Sequence, residues 1–138
     1  GIILEPAGAL SLASLKYIPN IKNQNIVCIL SGGNNDPSRY SEIIEKYLVY
    51  KNLRHYFIIK FYQKPGELRK FVENVLDKDT DIIRFEYIKK TNKTSDTALI
   101  GLEVSKESNI NCLLKRLSNN NINYKKLENN DVLYSLLI

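Results

Sequence analysis

From Arg54 onward the apolar residues switch repeatedly between two spacings, and that succession constrains the fold more than any other feature of the chain. Phe57, Ile59 and Phe61 alternate over Arg54 to Tyr62, the pattern of a half-buried strand. Lys64-Pro65-Gly66 breaks it. Leu68, Phe71, Val72, Val75 and Leu76 then fall at i, i+3, i+4, i+7 and i+8, one stripe of a helix predicted over Gly66 to Leu76. Period two returns from Asp81 to Lys90, with Ile83, Phe85 and Tyr87 on one side. A polar hairpin loop over Thr91 to Asp96 leads into a strand from Thr97 to Val104 that puts Ala98, Ile100, Leu102 and Val104 on one face. Ile110, Leu113, Leu114 and Leu117 make a second helical stripe, closed by Ser118-Asn119-Asn120-Asn121. Ile122 to Leu127 reads as the last strand, followed by a turn at Asn129-Asn130-Asp131 and an apolar ending, Val132 to Ile138. The order βαββαβ is the split βαβ, or ferredoxin-like, arrangement of an α+β fold, assigned to residues 54–138. Its two helices cover one sheet face. Tyr56, Ile58, Ile88 and Leu99 belong to the other, so pairing with a second copy through the sheet is expected.

Residues 1–53 have a different character. Glu5-Pro6-Ala7-Gly8-Ala9 precedes Leu10, Leu12, Ala13 and Leu15, with Pro6 at a position that suits the first turn of a helix. Asn25-Ile26-Val27-Cys28-Ile29-Leu30 is a continuous apolar run of the kind buried on both faces of a parallel sheet. Ser31-Gly32-Gly33-Asn34-Asn35-Asp36-Pro37 ends it, and a helix is predicted from about Pro37 to Asn52. About 50 residues holding one doubly buried strand cannot cover it, since cores of that size are marginal. The neighbouring strands are therefore expected in missing sequence or in another chain, and the absence of Met from the whole chain leads to the expectation of a fragment or of a processed chain.

Composition excludes several classes. Twenty basic against fifteen acidic residues give +5, with Lys mixed among Asp and Glu, so no nucleic-acid footprint is concentrated anywhere. No run reaches the roughly eighteen apolar residues of a membrane span, and a cytoplasmic protein with no membrane partner is expected. Cys28 and Cys112 stand far apart and read as buried free thiols, and with His55 the single His a structural zinc site is not expected. His55 itself reads as a surface residue.

Two short motifs admit chemistry. Ser31-Gly32-Gly33-Asn34 sits where ligands gather in open α/β sheets, outside the carboxyl end of a strand, with glycines that let a ligand approach the backbone. A plain turn explains the same residues. Glu5 reads equally as a carboxylate at a helix start. Their combination is more specific. Glu5-Pro6-Ala7-Gly8-Ala9 followed by Ile26 to Asp36 resembles the end of the catalytic domain of the pyridoxal-phosphate-dependent threonine and serine dehydratases. That resemblance implies that Ser31 hydrogen-bonds the pyridine nitrogen, with Glu5 and Gly32 beside the cofactor ring. His55-Tyr56-Phe57-Ile58, Lys64-Pro65-Gly66-Glu67-Leu68-Arg69, Phe85-Glu86-Tyr87 and Leu133 to Ile138 resemble the ACT-like regulatory domain of biosynthetic threonine dehydratase, in its form with one regulatory repeat.

The resemblance implies a C-terminal portion of such an enzyme: residues 1–53 as the end of the catalytic domain with its connecting helix, and 54–138 as the ACT-like domain. The parent reaction would convert L-threonine to 2-oxobutanoate and ammonia in isoleucine biosynthesis. The Schiff-base Lys and the phosphate loop of that family have no counterpart here, so these 138 residues alone are expected to be inactive. No catalytic residue is assigned. The chain's own role would be to bind a branched-chain amino acid, isoleucine or valine, and shift the population of a homo-oligomer completed by the rest of the catalytic domain. Gly66, Glu67 and Leu68 supply backbone donors at a helix N-terminus and an acidic or carbonyl partner, Phe85 and Tyr87 an apolar wall, and Glu86 faces the ammonium if its strand turns the other side outward. An ordinary strand-to-helix connection is the plainer reading of Gly66 to Leu68. Two rival readings of the whole are a free-standing ACT-like module that senses an amino acid or docks to a protein, and a small ferredoxin-like RNA binder.

Overall fold

The computed structural model describes residues 4–33, 36–89, 94–128 and 131–138. They fall into two compact units that meet between Ile43 and Ile44.

In the first unit, turns over residues 6–9 lead into helix α1 (Leu10–Ser14), which continues as one 3-10 turn, Leu15–Tyr17. The helix therefore starts four residues after Pro6. The strand expected over Ile26 to Leu30 is absent: the segment carries no ladder pairing, and Val27 and Ile29 are 90% and 77% exposed. A strand exists only where a neighbouring backbone takes its N–H and C=O groups, and no described stretch of backbone forms such a ladder with it here. Instead, Ser11 Oγ donates to the carbonyl of Ile29 at 2.6 Å. Cys28 is half-buried and Cys112 exposed, both free, which corrects the expectation of two buried thiols.

Helix α2 (Tyr40–Tyr50), entered through a 3-10 turn at Pro37–Arg39, crosses the division. The second unit then runs β1 (Arg54–Tyr62), α3 (Glu67–Val75), β2 (Thr80–Tyr87), β3 (Ser95–Val104), α4 (Asn109–Asn119), β4 (Asn123–Leu127) and α5 (Val132–Leu137). The apolar ending is thus a short helix, with Asp131 as its cap accepting from the Leu133 amide at 3.0 Å. The sheet order is β2-β3-β1-β4, every pair antiparallel, as the ferredoxin-like reading requires. Only part of the expected hairpin loop and of the last turn lies within the described residues.

Phe57, Ile59 and Phe61 of β1 and Ala98, Ile100 and Leu102 of β3 pack against Phe71 and Val75 of α3 and Ile110, Leu113 and Leu117 of α4. Burying each large apolar side chain stabilises by about 1.5–3 kcal/mol, so this layer dominates the unit's stability. Strand β2 departs from simple alternation. A bulge between Ile82 and Arg84 turns Ile82 to this core and Ile83 to the opposite face, although the period of two groups Ile83 with Phe85 and Tyr87. Gly101 lies opposite the bulge, where a Cβ would stand 2.7 Å from the Tyr56 ring.

The second sheet face is not bare. Tyr56, Leu99 and Leu127 are buried there beneath Val49 of α2 and Tyr134 and Leu137 of α5. The open remainder is a hollow of about 780 Å³ floored by Ile58 and Leu99, with Lys60, Glu86 and Ile88 around it.

Candidate functional site

The residues singled out in the first unit meet in space. The Glu5 amide donates to the carbonyl of Gly32 at 3.2 Å, joining two motifs 27 residues apart in sequence. Gly32 has φ +77°, and a Cβ on it would lie 1.9 Å from Glu5 Oε1. A Cβ on Gly8 would lie 1.5 Å from the Ser31 carbonyl oxygen. Gly8 is therefore demanded by close packing against backbone, and Gly32 by its left-handed conformation, since the Glu5 side chain near it is free to turn aside. Ser31 is exposed, next in the chain to the Gly32 backbone against which the Glu5 carboxylate lies, and a hydroxyl that can donate or accept is a chemistry that fits a ring nitrogen such as that of pyridoxal phosphate.

The second place is the turn from β1 to α3. Lys64-Pro65-Gly66 reverses the chain, and Gly66 occupies the position before the helix at φ +88°, in the left-handed region that glycine enters at no steric cost. Helix α3 begins without a side-chain cap. The Glu67 amide donates to the Lys64 carbonyl at 3.5 Å and the Lys70 amide to the Gly66 carbonyl at 2.9 Å, which leaves the amides of Leu68 and Arg69 as the first-turn donors without a partner among the described residues. Gly66, Glu67, Leu68 and Tyr87 line one hollow of about 200 Å³ together with Phe61 and Gln63. Phe61 is buried and stands edge-on to Phe71 and Tyr87 at 5.6 and 5.7 Å, which holds the apolar wall in place. Phe85 shares the face of Tyr87 but lies outside this hollow, opposite Ile100 and 38% exposed. Glu86 points the other way, pairs with Leu99 across the ladder, and is bridged by Arg84 at 2.8 Å. Glu67 is bridged by Lys70 at 3.1 Å. Four of the five residues selected for an effector therefore share one hollow.

Sequence reasoning missed Gln63, whose Nε2 donates to Asp96 Oδ2 at 2.5 Å. Asp96 is only 5% exposed, and no local period marks the pair because 33 residues separate them. A second polar cluster, around Arg54, was equally silent. Its guanidinium bridges Glu45 of α2 and Glu103 of β3, the latter at 2.6 Å, while Tyr56 Oη donates to Glu45 Oε1 at 2.7 Å. Burial and the Glu45 carboxylate push the Tyr56 hydroxyl far above its ordinary range, keeping it a donor. This cluster binds the last turns of α2 to the sheet. His55 is buried at 5% exposure, contrary to a surface reading, and donates from Nε2 to the Asn52 carbonyl at 2.9 Å. Among the described residues no group of His, Cys, Asp and Glu is arranged to hold a metal ion, and no helix is long and apolar enough to cross a membrane.

Comparison with known proteins adds the following. The C-terminal regulatory domain of threonine dehydratase is the family that matches, over residues 45–137. The biosynthetic L-threonine dehydratase of Corynebacterium glutamicum is 51% identical over 117 residues, covering 85% of this chain and 27% of the relative. Those of Lactococcus lactis and Bacillus subtilis are 50% and 43% identical over 139 and 138 residues, covering 100% and 99% of this chain and 33% of each relative. The chain thus spans about a third of the length of these relatives.

Proposed function

Because the chain belongs to the biosynthetic threonine dehydratases, with residues 45–137 matching their C-terminal regulatory domain, we propose that its own work is to sense a branched-chain amino acid. The observation that carries this reading is the hollow at the start of α3, where Gly66, Glu67, Leu68 and Tyr87 gather. An amino acid presents a carboxylate, an ammonium and an aliphatic tail. First-turn N–H groups of α3 meet the carboxylate, and Phe61, Leu68 and Tyr87 meet the tail. The open part of the second sheet face, with Ile88 exposed beside Ile58, supports association of copies through the sheet.

The parent enzyme would deaminate L-threonine to 2-oxobutanoate, with pyridoxal phosphate supplying the electron sink when bound. In that parent, the Ser31 hydroxyl would hydrogen-bond the ring nitrogen, Glu5 would stand beside the ring, and Gly32 would leave room for it. Residues before 44 would complete the catalytic domain and those from 54 onward the ACT-like domain, joined by α2.

Isothermal titration with isoleucine and with valine tests the sensing role on the dimeric chain. Binding heat is expected with wild type and is expected to vanish in Gly66→Val, whose side chain would stand where the carboxylate approaches the backbone. Valine at that φ costs roughly 1–3 kcal/mol of backbone strain, so thermal unfolding is followed alongside. Absence of heat with both amino acids in the wild type, or equal binding by the variant, would sink the reading.

A further inference from the structure

Resting on the hollow at α3 as an amino-acid site, we propose that Lys64 and Lys89 determine its specificity: the charge they place there selects a ligand with a free carboxylate over the same ligand with that carboxylate amidated. Four charged residues line the hollow, Lys64, Glu67, Arg69 and Lys89. Two of them are matched nearby. Glu67 is bridged by Lys70 at 3.1 Å and Arg69 by Glu73 at 2.7 Å. Lys64 and Lys89 form no ion pair among the described residues, so they leave the hollow with unbalanced positive charge.

Sheet topology brings the two lysines together. Strands β1 and β2 both pair antiparallel with β3, which lies between them, so they run parallel to each other and end at the same edge of the sheet. Lys64 stands just past the end of β1 and Lys89 just past the end of β2. The Leu68 and Arg69 amides are the donors that receive the ligand's carboxylate, and they have no partner among the described residues. Such donors are indifferent to the distinction at issue, because the carbonyl oxygen of a carboxamide accepts from them as well. The choice between carboxylate and carboxamide therefore falls to fixed charge, and a concave site focuses that charge on its contents. The ligand's ammonium is met by Glu67, which keeps acceptor capacity beside Lys70. An amino acid is neutral overall and gains at its carboxylate. Its amide is a cation and meets repulsion.

The test titrates L-isoleucine and L-isoleucinamide into the dimeric chain at about pH 6.5, where the α-amino group of either is protonated. Wild type is expected to bind isoleucine at least about tenfold more tightly, and to lose part of that ratio as salt rises from about 0.05 to 0.5 M, since exposed charges are screened. Lys64→Gln and Lys89→Gln are each expected to weaken isoleucine by about two- to fivefold, the scale of an exposed charge pair, while isoleucinamide binds unchanged or more tightly. Loss of a merely structural contact would weaken both ligands together. An unchanged ratio in either variant, or equal weakening of both ligands, overturns the proposal. A wild-type ratio that ignores salt overturns it without any variant. Failure of the sensing role itself looks different, since wild type would then bind neither ligand.

Discussion

Two apolar runs of this chain illustrate opposite outcomes of one sequence signal. Ile26 to Leu30 in the first unit reads as a strand covered on both faces, and Ala98 to Leu102 in the second, nearly as apolar, as a strand with Ala98, Ile100 and Leu102 on one covered face. In the second unit the reading holds: Ala98, Ile100 and Leu102 are buried under two helices, Leu99 is buried on the reverse face, and β3 lies between β1 and β2. In the first unit the run has no ladder, and its side chains apart from the half-buried Cys28 are exposed. Hydrophobicity makes a strand worth burying, but pairing groups on either side make it a strand. The second unit carries its own neighbours in sequence, and the first does not.

Hydrogen exchange gives the widest contrast. Amides of Phe57, Ile59, Ile100 and Leu102 are expected to exchange at least about 10³-fold more slowly than free peptide, as suits a cooperative unit of ordinary stability, while Ile26 to Leu30 exchange almost freely. Slow exchange at Ile26 to Leu30 in a proven monomer would break the comparison.

Side-chain truncation follows. Leu102→Ala removes a fully buried group and is expected to cost about 2–5 kcal/mol in urea unfolding, whereas Val27→Ala, at a 90% exposed site, is expected to stay within about 0.5 kcal/mol. Similar costs at the two sites would mean that the run is covered after all.

The two left-handed glycines sharpen the same contrast at smaller scale. At Gly66 a Cβ meets nothing within 4 Å, so Gly66→Ala pays only backbone strain, about 1–2 kcal/mol, and should lower the unfolding midpoint accordingly. Gly32→Ala drives a Cβ into the Glu5 side chain and should turn it aside, seen as changed NMR shifts at Glu5 and Ser31, with the midpoint of the second unit unmoved. A lowered midpoint in Gly32→Ala would tie the first unit to the cooperative core.

The smallest expected effect is one of pH. Burial, with the Lys126 ammonium nearby, holds the His55 imidazole below its ordinary range against the pull of the Asn52 carbonyl and Glu128. The unfolded chain therefore takes up a proton near pH ~6.5 that the folded chain does not, so stability is full above that pH and declines as pH falls through it, until the lower folded value is reached. His55→Gln should flatten this decline. Parallel pH profiles for wild type and variant would show that His55 is not its source.

Much of the second unit was legible because its signals are local. The stripe from Leu68 to Leu76 and the alternation of Phe57, Ile59 and Phe61 follow from 3.6- and 2-residue geometry alone, and α3 and β1 lie within a residue or so of the predicted bounds. The motif pairs Glu5 with Gly32 and Gly66 with Tyr87 were also marked in sequence, by glycines next to residues of the right chemistry.

Sequence by itself determined the order of elements, the helix-covered face and the glycine turns, because each depends on residues a few positions apart. Tertiary structure alone decided which way Ile83 points, that α2 and α5 cover part of the second face, that Tyr87 and not Phe85 reaches the hollow, and that Gln63 meets Asp96. Each of these depends on a register or a partner distant in sequence. A single bulge between Ile82 and Arg84 reverses the side chain between them, and no period within one strand records where its neighbour places that extra residue.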